Sequence, residues 1–274
     1  MPDLAGRRVG VSLSSGFFGF FAHAGFLAAL DELGVRPAAV TGCSAGALTG
    51  ALHAAGLDAG DVLDVLCAVR IRDFADPPHP RDLLARPFGL LGGRKLARSL
   101  RRILPVSTFD QCAVPFALTV FDLESRERRV IDRGPLAPAL RASLSLPGMF
   151  QPAVLGTHPC WDAGVVEKVP LSFLVERSDI DTIVICYLPA SPDPRAPRSL
   201  FSGLRRTQMT LVGPADRRAV EEARAAGREV IVVAPAVPRC GPHRLRMGRD
   251  IADLSRRDVL RILERGDTGH PELG

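Results

Sequence analysis

The sequence predicts an α/β fold built on a mainly parallel sheet that is covered on both faces. Three observations carry this reading. Short strand-like runs alternate with helical patterns between residues 8 and 265, and the runs are continuously apolar, as at Ile183-Val184-Ile185. Strands buried on both faces need apolar residues on both sides, so they lose the in-out alternation of a half-exposed sheet. The third observation is Gly42-Cys43-Ser44-Ala45-Gly46, which lies between one such run and an Ala/Leu-rich stretch. That placement suits a sharp strand-to-helix turn.

In chain order, residues 8–13 form the first strand, which runs through a Ser/Gly/Phe loop into a helix over 21–32. Gly34 stops that helix, and 38–41 returns as a second strand. Small residues then predict a helix over 45–55, followed by another over 59–70. Residues 72–105 are rich in Pro, Gly and Arg with Leu islands, which reads as an inserted cap or mobile surface segment. Residues 115–121 are a strand, and 126–131 is its hairpin partner across the charged 124–129 stretch. A short helix over 137–144, a strand over 182–188 and a turn-rich loop over 189–198 follow. A charged helix over 217–226, a strand over 229–234 and a closing helix over 251–265 complete the pattern.

The 274 residues suffice for one substantial core, so the expectation is a single domain, with its core about 8–190 and a C-terminal α/β extension over 200–265. With one Trp and one Tyr, the chain lacks the aromatic platform of a single-strand nucleic-acid binder. The net charge of +5 is spread over many arginines and no nucleic-acid motif accompanies it. Six cysteines stand far apart beside apolar residues and without CxxC pairs, which reads as buried thiols in a reducing compartment. Arg7-Arg8 followed by the apolar 9–30 stretch superficially resembles a signal peptide. Its interior Gly16, Gly19, His23 and Gly25 instead fit a strand, loop and helix, so a retained, cytoplasmic element is expected. No segment reads as a transmembrane helix.

Gly42-Cys43-Ser44-Ala45-Gly46 is a Gly-x-Ser-x-Gly nucleophile elbow, in which a cramped turn exposes the serine hydroxyl above the sheet edge. The alternative is a tight turn with Ser44 as a helix N-cap. A serine nucleophile needs a base, and the late histidines, His243 and His270, have no helpful local pattern. Asp162, in Trp161-Asp162-Ala163-Gly164, either holds its own turn through an Asx bond or takes the serine proton directly. Gly16-Phe17-Phe18-Gly19, in the loop after the first strand, offers backbone amides to a developing oxyanion. The phenylalanines around it serve either as core or as an apolar wall for an acyl chain. No Gly-x-Gly-x-x-Gly pattern or Walker lysine supports nucleotide binding.

Together these elements resemble the patatin-like phospholipase family, with its glycine-rich oxyanion loop, its elbow and its Ser/Asp dyad. Asp162-Ala163-Gly164 matches the aspartate motif with alanine for its first glycine. Residues 143–152, Ser-Leu-Ser-Leu-Pro-Gly-Met-Phe-Gln-Pro, look like the family's Ser-x-x-x-Pro-Gly-x-Phe-x-Pro stretch. The resemblance spans about 9–188 and implies a three-layer α/β/α fold with a mainly parallel central sheet. It implies a lipid acyl hydrolase with Ser44 as nucleophile and Asp162 as base, needing neither metal nor organic cofactor. A lipid or acyl-ester substrate is the implied partner, with peripheral membrane contact through the Arg- and Leu-containing 72–105 segment. One departure stands out. The family loop carries Arg or Lys where this chain has Phe18, which removes a charge near the headgroup and favours neutral-lipid or generic acyl-ester hydrolysis. A histidine-dependent esterase and a non-catalytic lipid-binding relative remain the alternatives.

Overall fold

The computed structural model describes residues 4, 6–80, 89–189, 200–238, 240–267 and 273, with 200–211 and 243 described in their backbone alone. The elements run β1 (Val9–Leu13), α1 (Phe20–Glu32), β2 (Ala39–Gly42), α2 (Ala45–Ala54), α3 (Ala59–Ala68), β3 (Gly89–Leu91) and α4 (Arg94–Ile103). They continue with β4 (Phe116–Asp122), β5 (Glu127–Ile131), α5 (Leu136–Ser143), β6 (Gly148–Phe150), β7 (Ala153–Leu155) and β8 (His158–Asp162). The last are α6 (Ser172–Val175), β9 (Thr182–Cys186), α7 (Leu200–Ala225), β10 (Glu229–Val233) and α8 (Gly248–Arg265).

The main sheet has the order β10-β9-β1-β2-β4-β8-β7, with β5 paired to β4. Strands β10, β9, β1, β2 and β4 are parallel, whereas β8, β7 and β5 enter antiparallel. Alternation within single strands sets the layers. Val184 and Cys186 join the larger core under α1, α2, α5 and α8, whereas Ile183, Ile185 and Tyr187 join a second core with Leu174 of α6 and Val220 and Ala223 of α7. Successive side chains point to opposite faces, so an unbroken apolar strand fills both cores and helices must cover each. The expected three-layer α/β arrangement is the one observed.

Helices α1 and α8 lie side by side, with Ser255 Oγ donating to the Ala22 carbonyl at 2.8 Å. The expected 126–131 hairpin partner is β5, in register from Leu118↔Ile131 to Asp122↔Glu127.

The structure differs from the sequence reading in three places. The 72–105 segment is more ordered than its Pro and Gly content implies, because Arg94-Lys95-Leu96-Ala97-Arg98-Ser99-Leu100 repeats apolar residues at helical spacing and forms α4. Residues 81–88 of that segment lie outside the described residues. Asp162 ends a strand and does not sit in a free loop; the Pro159 and Cys160 interruptions hide β8 from a periodicity search, yet Val120↔Asp162 pairing fixes it. The charged helix begins at Leu200 and runs through Gly213-Pro214, which reads as a break in sequence. Most of the expected 189–198 loop lies outside the described residues.

Candidate active site

The elbow is built by close approach of backbone to backbone. Ser44 has φ 54° and ψ −118°, a conformation that L-residues rarely adopt, directly between β2 and α2. A Cβ added at Gly42 would stand 2.5 Å from the Gly46 carbonyl carbon and oxygen, and one added at Gly46 would stand 2.1 Å from the Leu13 oxygen. Both glycines are therefore steric requirements, one closing the turn on itself and the other packing it on the end of β1. Gly46→Ala is expected to destabilise the fold by about 3 kcal/mol, since a backbone oxygen cannot retreat as a flexible side chain can. Urea unfolding checks this, and a cost below about 0.5 kcal/mol would contradict the packing.

At the head of α2, Ser44 makes no side-chain cap hydrogen bond. Its side chain is near enough to Asp162 to lower the pKa of that carboxyl. Asp162 is 3% exposed and ends β8, and its Oδ1 accepts from the Gly164 N–H at 2.8 Å and from the Cys43 thiol at 3.6 Å. Burial pushes its carboxyl up to about 6, while hydrogen bonds from Ser44, Gly164 and Cys43 hold it down against that effect. The Asx-type turn expected at Asp162 is present, closed by the Gly164 N–H. The Cys43 thiol is raised well above its ordinary range by burial and by the Asp162 charge, so it stays protonated and donates. Ala45, which opens α2, and Ala163, which follows the aspartate, are both buried with no reactive group.

One short segment ties the serine to the aspartate. The Ser44 backbone N–H donates to Ser143 Oγ at 3.0 Å, and the Asp162 N–H donates to the Ser145 carbonyl at 3.0 Å. Arg141, one turn earlier in α5, donates to Ser145 Oγ at 2.8 Å and to the Gly92 carbonyl at 2.9 Å. Sequence reasoning gave these three residues no role. The motif Ser143 to Pro152 was the available signal, and only the fold shows that it braces both groups.

The loop after β1 completes the cluster. Gly164 packs on it so tightly that a Cβ would stand 2.6 Å from Ser15 Oγ. Ser14 and Ser15 donate their N–H groups to Cys186 and Lys168 at 3.1 and 2.9 Å. The Gly19 N–H, an expected oxyanion donor, is instead committed to the Gly16 carbonyl at 2.9 Å, closing a turn with Phe18 at φ 55°. The N–H groups of Gly16, Phe17 and Phe18 have no hydrogen-bond partner among the described residues, so the donor set narrows to these three. His23 braces the loop from below. It is fully buried, its pKa is driven down to about 4 by burial, and its neutral ring donates from Nε2 to the Ser14 carbonyl at 2.8 Å.

The phenylalanines divide between the two roles left open by sequence. Phe21 is fully buried in the core, whereas Phe17 is 40% exposed and Phe18 and Phe20 are half-buried. Phe18 contacts Phe17, Phe20 and Phe74 at 4.8, 5.7 and 6.5 Å between ring centroids. This gives an apolar rim beside the free amides. The backbone at His243 lies in a 3₁₀ turn, Pro242–Met247, and its ring, like His270, lies outside the described residues. Among the described residues no group of three His, Cys, Asp or Glu side chains could hold a metal ion, and no helix is long and apolar enough to cross a membrane.

Comparison with known proteins places this geometry. The family model described as patatin-like phospholipase matches residues 11–175. An uncharacterized NTE family protein of Mycobacterium bovis is 30% identical over 176 residues, covering 60% of this chain and 45% of that protein. Lysophospholipase NTE1 of Cryptococcus neoformans is 26% identical over 200 residues, covering 71% of this chain and 12% of its own length. The chain thus spans less than half of either relative. VipD from Legionella pneumophila superposes with a TM-score of 0.50 at 12% identity, covering 94% of this chain and 67% of that one, which is a likeness of fold.

Proposed function

The chain belongs to the patatin-like phospholipase family, and from that premise we propose that it hydrolyses acyl esters of lipids through Ser44 and Asp162. The observation that carries the reading is the pairing of a strained, uncapped serine with a buried carboxylate whose pKa stands near 6. A base in that range is ionised at neutral pH yet basic enough to accept a proton in the transition state.

The reaction runs in two halves. Asp162 takes the Ser44 Oγ proton as the oxygen attacks the ester carbonyl, and the negative charge moves to the carbonyl oxygen. The free N–H groups of Gly16, Phe17 and Phe18 stabilise that charge without reorganising, because the Gly16–Gly19 turn and the His23 brace already hold the loop. Collapse expels the alcohol, which recovers the proton from Asp162 and leaves an acyl-serine. Water then gives a proton to Asp162 and attacks the acyl carbon; the acyl–oxygen bond to Ser44 breaks, Ser44 Oγ takes that proton back from Asp162, and the fatty acid is released.

The exposed edge of Phe17 and the half-buried Phe18 and Phe20 supply an apolar path for the acyl chain. Phe18 puts no cation beside the headgroup, which supports uncharged or generic acyl esters as substrates. The chain meets them peripherally, at a lipid surface. The test is a panel of soluble p-nitrophenyl esters of increasing chain length together with phosphatidylcholine and lysophosphatidylcholine. Fatty-acid release from esters and lipids is the expected result, with medium or long chains preferred. A folded protein inert on the whole panel would exclude the assignment.

A further inference from the structure

We propose that the outer face of α4 docks the chain on an anionic phospholipid bilayer, a proposal that rests on the lipid-hydrolase reading above and adds the face and the lipid charge. The ten residues of α4 carry Arg94, Lys95, Arg98, Arg101 and Arg102 and no acid. Those five charges equal the net charge of the entire chain, +5, so the remaining residues sum to zero. All five cations are exposed, whereas Leu100 is buried and Leu96, Ala97 and Ile103 are half-buried on the opposite side. The apolar stripe is spent on the protein core, and the basic stripe faces outward.

Partners distinguish this helix from α8, which is also rich in arginine. In α8, Arg256, Arg257 and Arg261 each contact a carboxylate, of Glu32 and Asp253, of Asp253, and of Asp258. In α4, Arg94 and Arg102 reach Asp76 and Asp73 only at 3.5 and 3.9 Å, and Lys95, Arg98 and Arg101 have no carboxylate partner among the described residues. A helix face with unneutralised charge attracts anionic lipid. Leu90, in the strand directly before α4, is 79% exposed, and an exposed leucine next to cations suits insertion at the acyl boundary.

The face is held rigidly and close to the site. Buried Asp76 accepts from the N–H groups of Gly93, Arg94 and Lys95 at 3.1 to 3.3 Å, which fixes the first turn of α4. Gly92, two residues ahead of the helix, takes a hydrogen bond from Arg141, whose other branch holds Ser145 beside Asp162. The start of α4 is thus joined to the segment that braces Ser44 and Asp162. The charge missing from the oxyanion loop at Phe18 is present here instead, at the level of headgroups.

The experiment is vesicle flotation of the full chain with phosphatidylcholine alone and with phosphatidylcholine containing about one third phosphatidylglycerol. Binding is expected with the anionic vesicles, weakened by salt because exposed charges are screened. Lys95→Glu/Arg98→Glu/Arg101→Glu shifts the face by six charges and is expected to lower it on the order of 10⁴-fold, at roughly fivefold per charge. The milder Lys95→Gln/Arg98→Gln/Arg101→Gln is expected to fall between, and circular dichroism of both variants checks that the fold is kept. Ser44→Ala is expected to bind vesicles as the unaltered chain does. Equal binding to neutral vesicles, no loss in the charge-reversed variant, or binding to duplex nucleic acid without binding to vesicles would overturn the proposal. Turnover of a soluble short-chain ester by the unaltered chain tests the catalytic reading separately.

Discussion

Ser44→Ala is expected to lower kcat for ester hydrolysis on the order of 10⁴-fold or more while leaving the fold intact. The loss is large because Ser44 is the hydroxyl that interacts with Asp162 and the nucleophile of the proposed reaction. The fold survives because the serine hydroxyl caps nothing. Alanine retains the Cβ and with it the positive-φ conformation, so its stability should match that of the unaltered chain closely. Ser44→Gly provides the contrast. It is equally inactive, but glycine adopts φ 54° without steric cost, so the protein should gain about 1 kcal/mol. Ester turnover and urea unfolding of the two variants read chemistry and strain independently. Substantial activity in Ser44→Ala would end every reading in which this serine forms an acyl-enzyme.

Asp162→Asn is expected to abolish turnover and to stabilise the protein, two effects with one origin. Burial raises the carboxyl from 3.8 to about 6, so the folded state holds the proton more tightly than the unfolded chain does. The folded-state pKa lies above the unfolded one for an acid. Its contribution is therefore fully present below about pH 4, and it is lost as pH rises to about 6. A two-unit shift is worth about 3 kcal/mol, so the ionised base costs the fold about that much at neutral pH. Asparagine removes the charge and should return about 1 to 3 kcal/mol at pH 7 to 8. Glu167, raised to about 7 by burial and opposed by Arg128, acts with the same sign and is retained in the variant. The comparison must therefore be made as a difference between the two proteins across pH 4 to 8. In the unaltered chain kcat/KM should rise with pH through about 6 as Asp162 ionises. A profile flat across that range, or Asp162→Asn at full activity, would refute its role as base.

Much of the fold was legible because burial on both faces leaves a direct trace in composition. The runs at 183–188 and 230–234 are apolar at every position, and they carry most of the strands β9 and β10 that feed both cores. Strand β8 was illegible for the converse reason. His158-Pro159-Cys160-Trp161-Asp162 has no apolar run, and it is a strand because β4 offers it hydrogen bonds. Helix α4 was obscured by the Pro- and Gly-rich residues around it, although its own Arg/Leu spacing is regular.

By itself the sequence determined the elbow. Gly42, Ser44 and Gly46 form a local pattern, and the steric need for glycine acts within a few residues of chain. It also singled out Asp162, through the residues that follow it. The tertiary structure alone decided what these groups do to one another. Ser44 and Asp162 stand 118 positions apart, and their encounter depends on β8 pairing with β4 and on Ser143 and Ser145 bracing both. The same holds for the 16–19 loop, where a single turn hydrogen bond commits the Gly19 N–H and leaves those of Gly16, Phe17 and Phe18 without a partner among the described residues. It holds too for the pKa of Asp162, since desolvation belongs to the surroundings and not to the residue. Local sterics can be read along a chain, whereas burial and the direction of a hydrogen bond exist only once distant segments have packed.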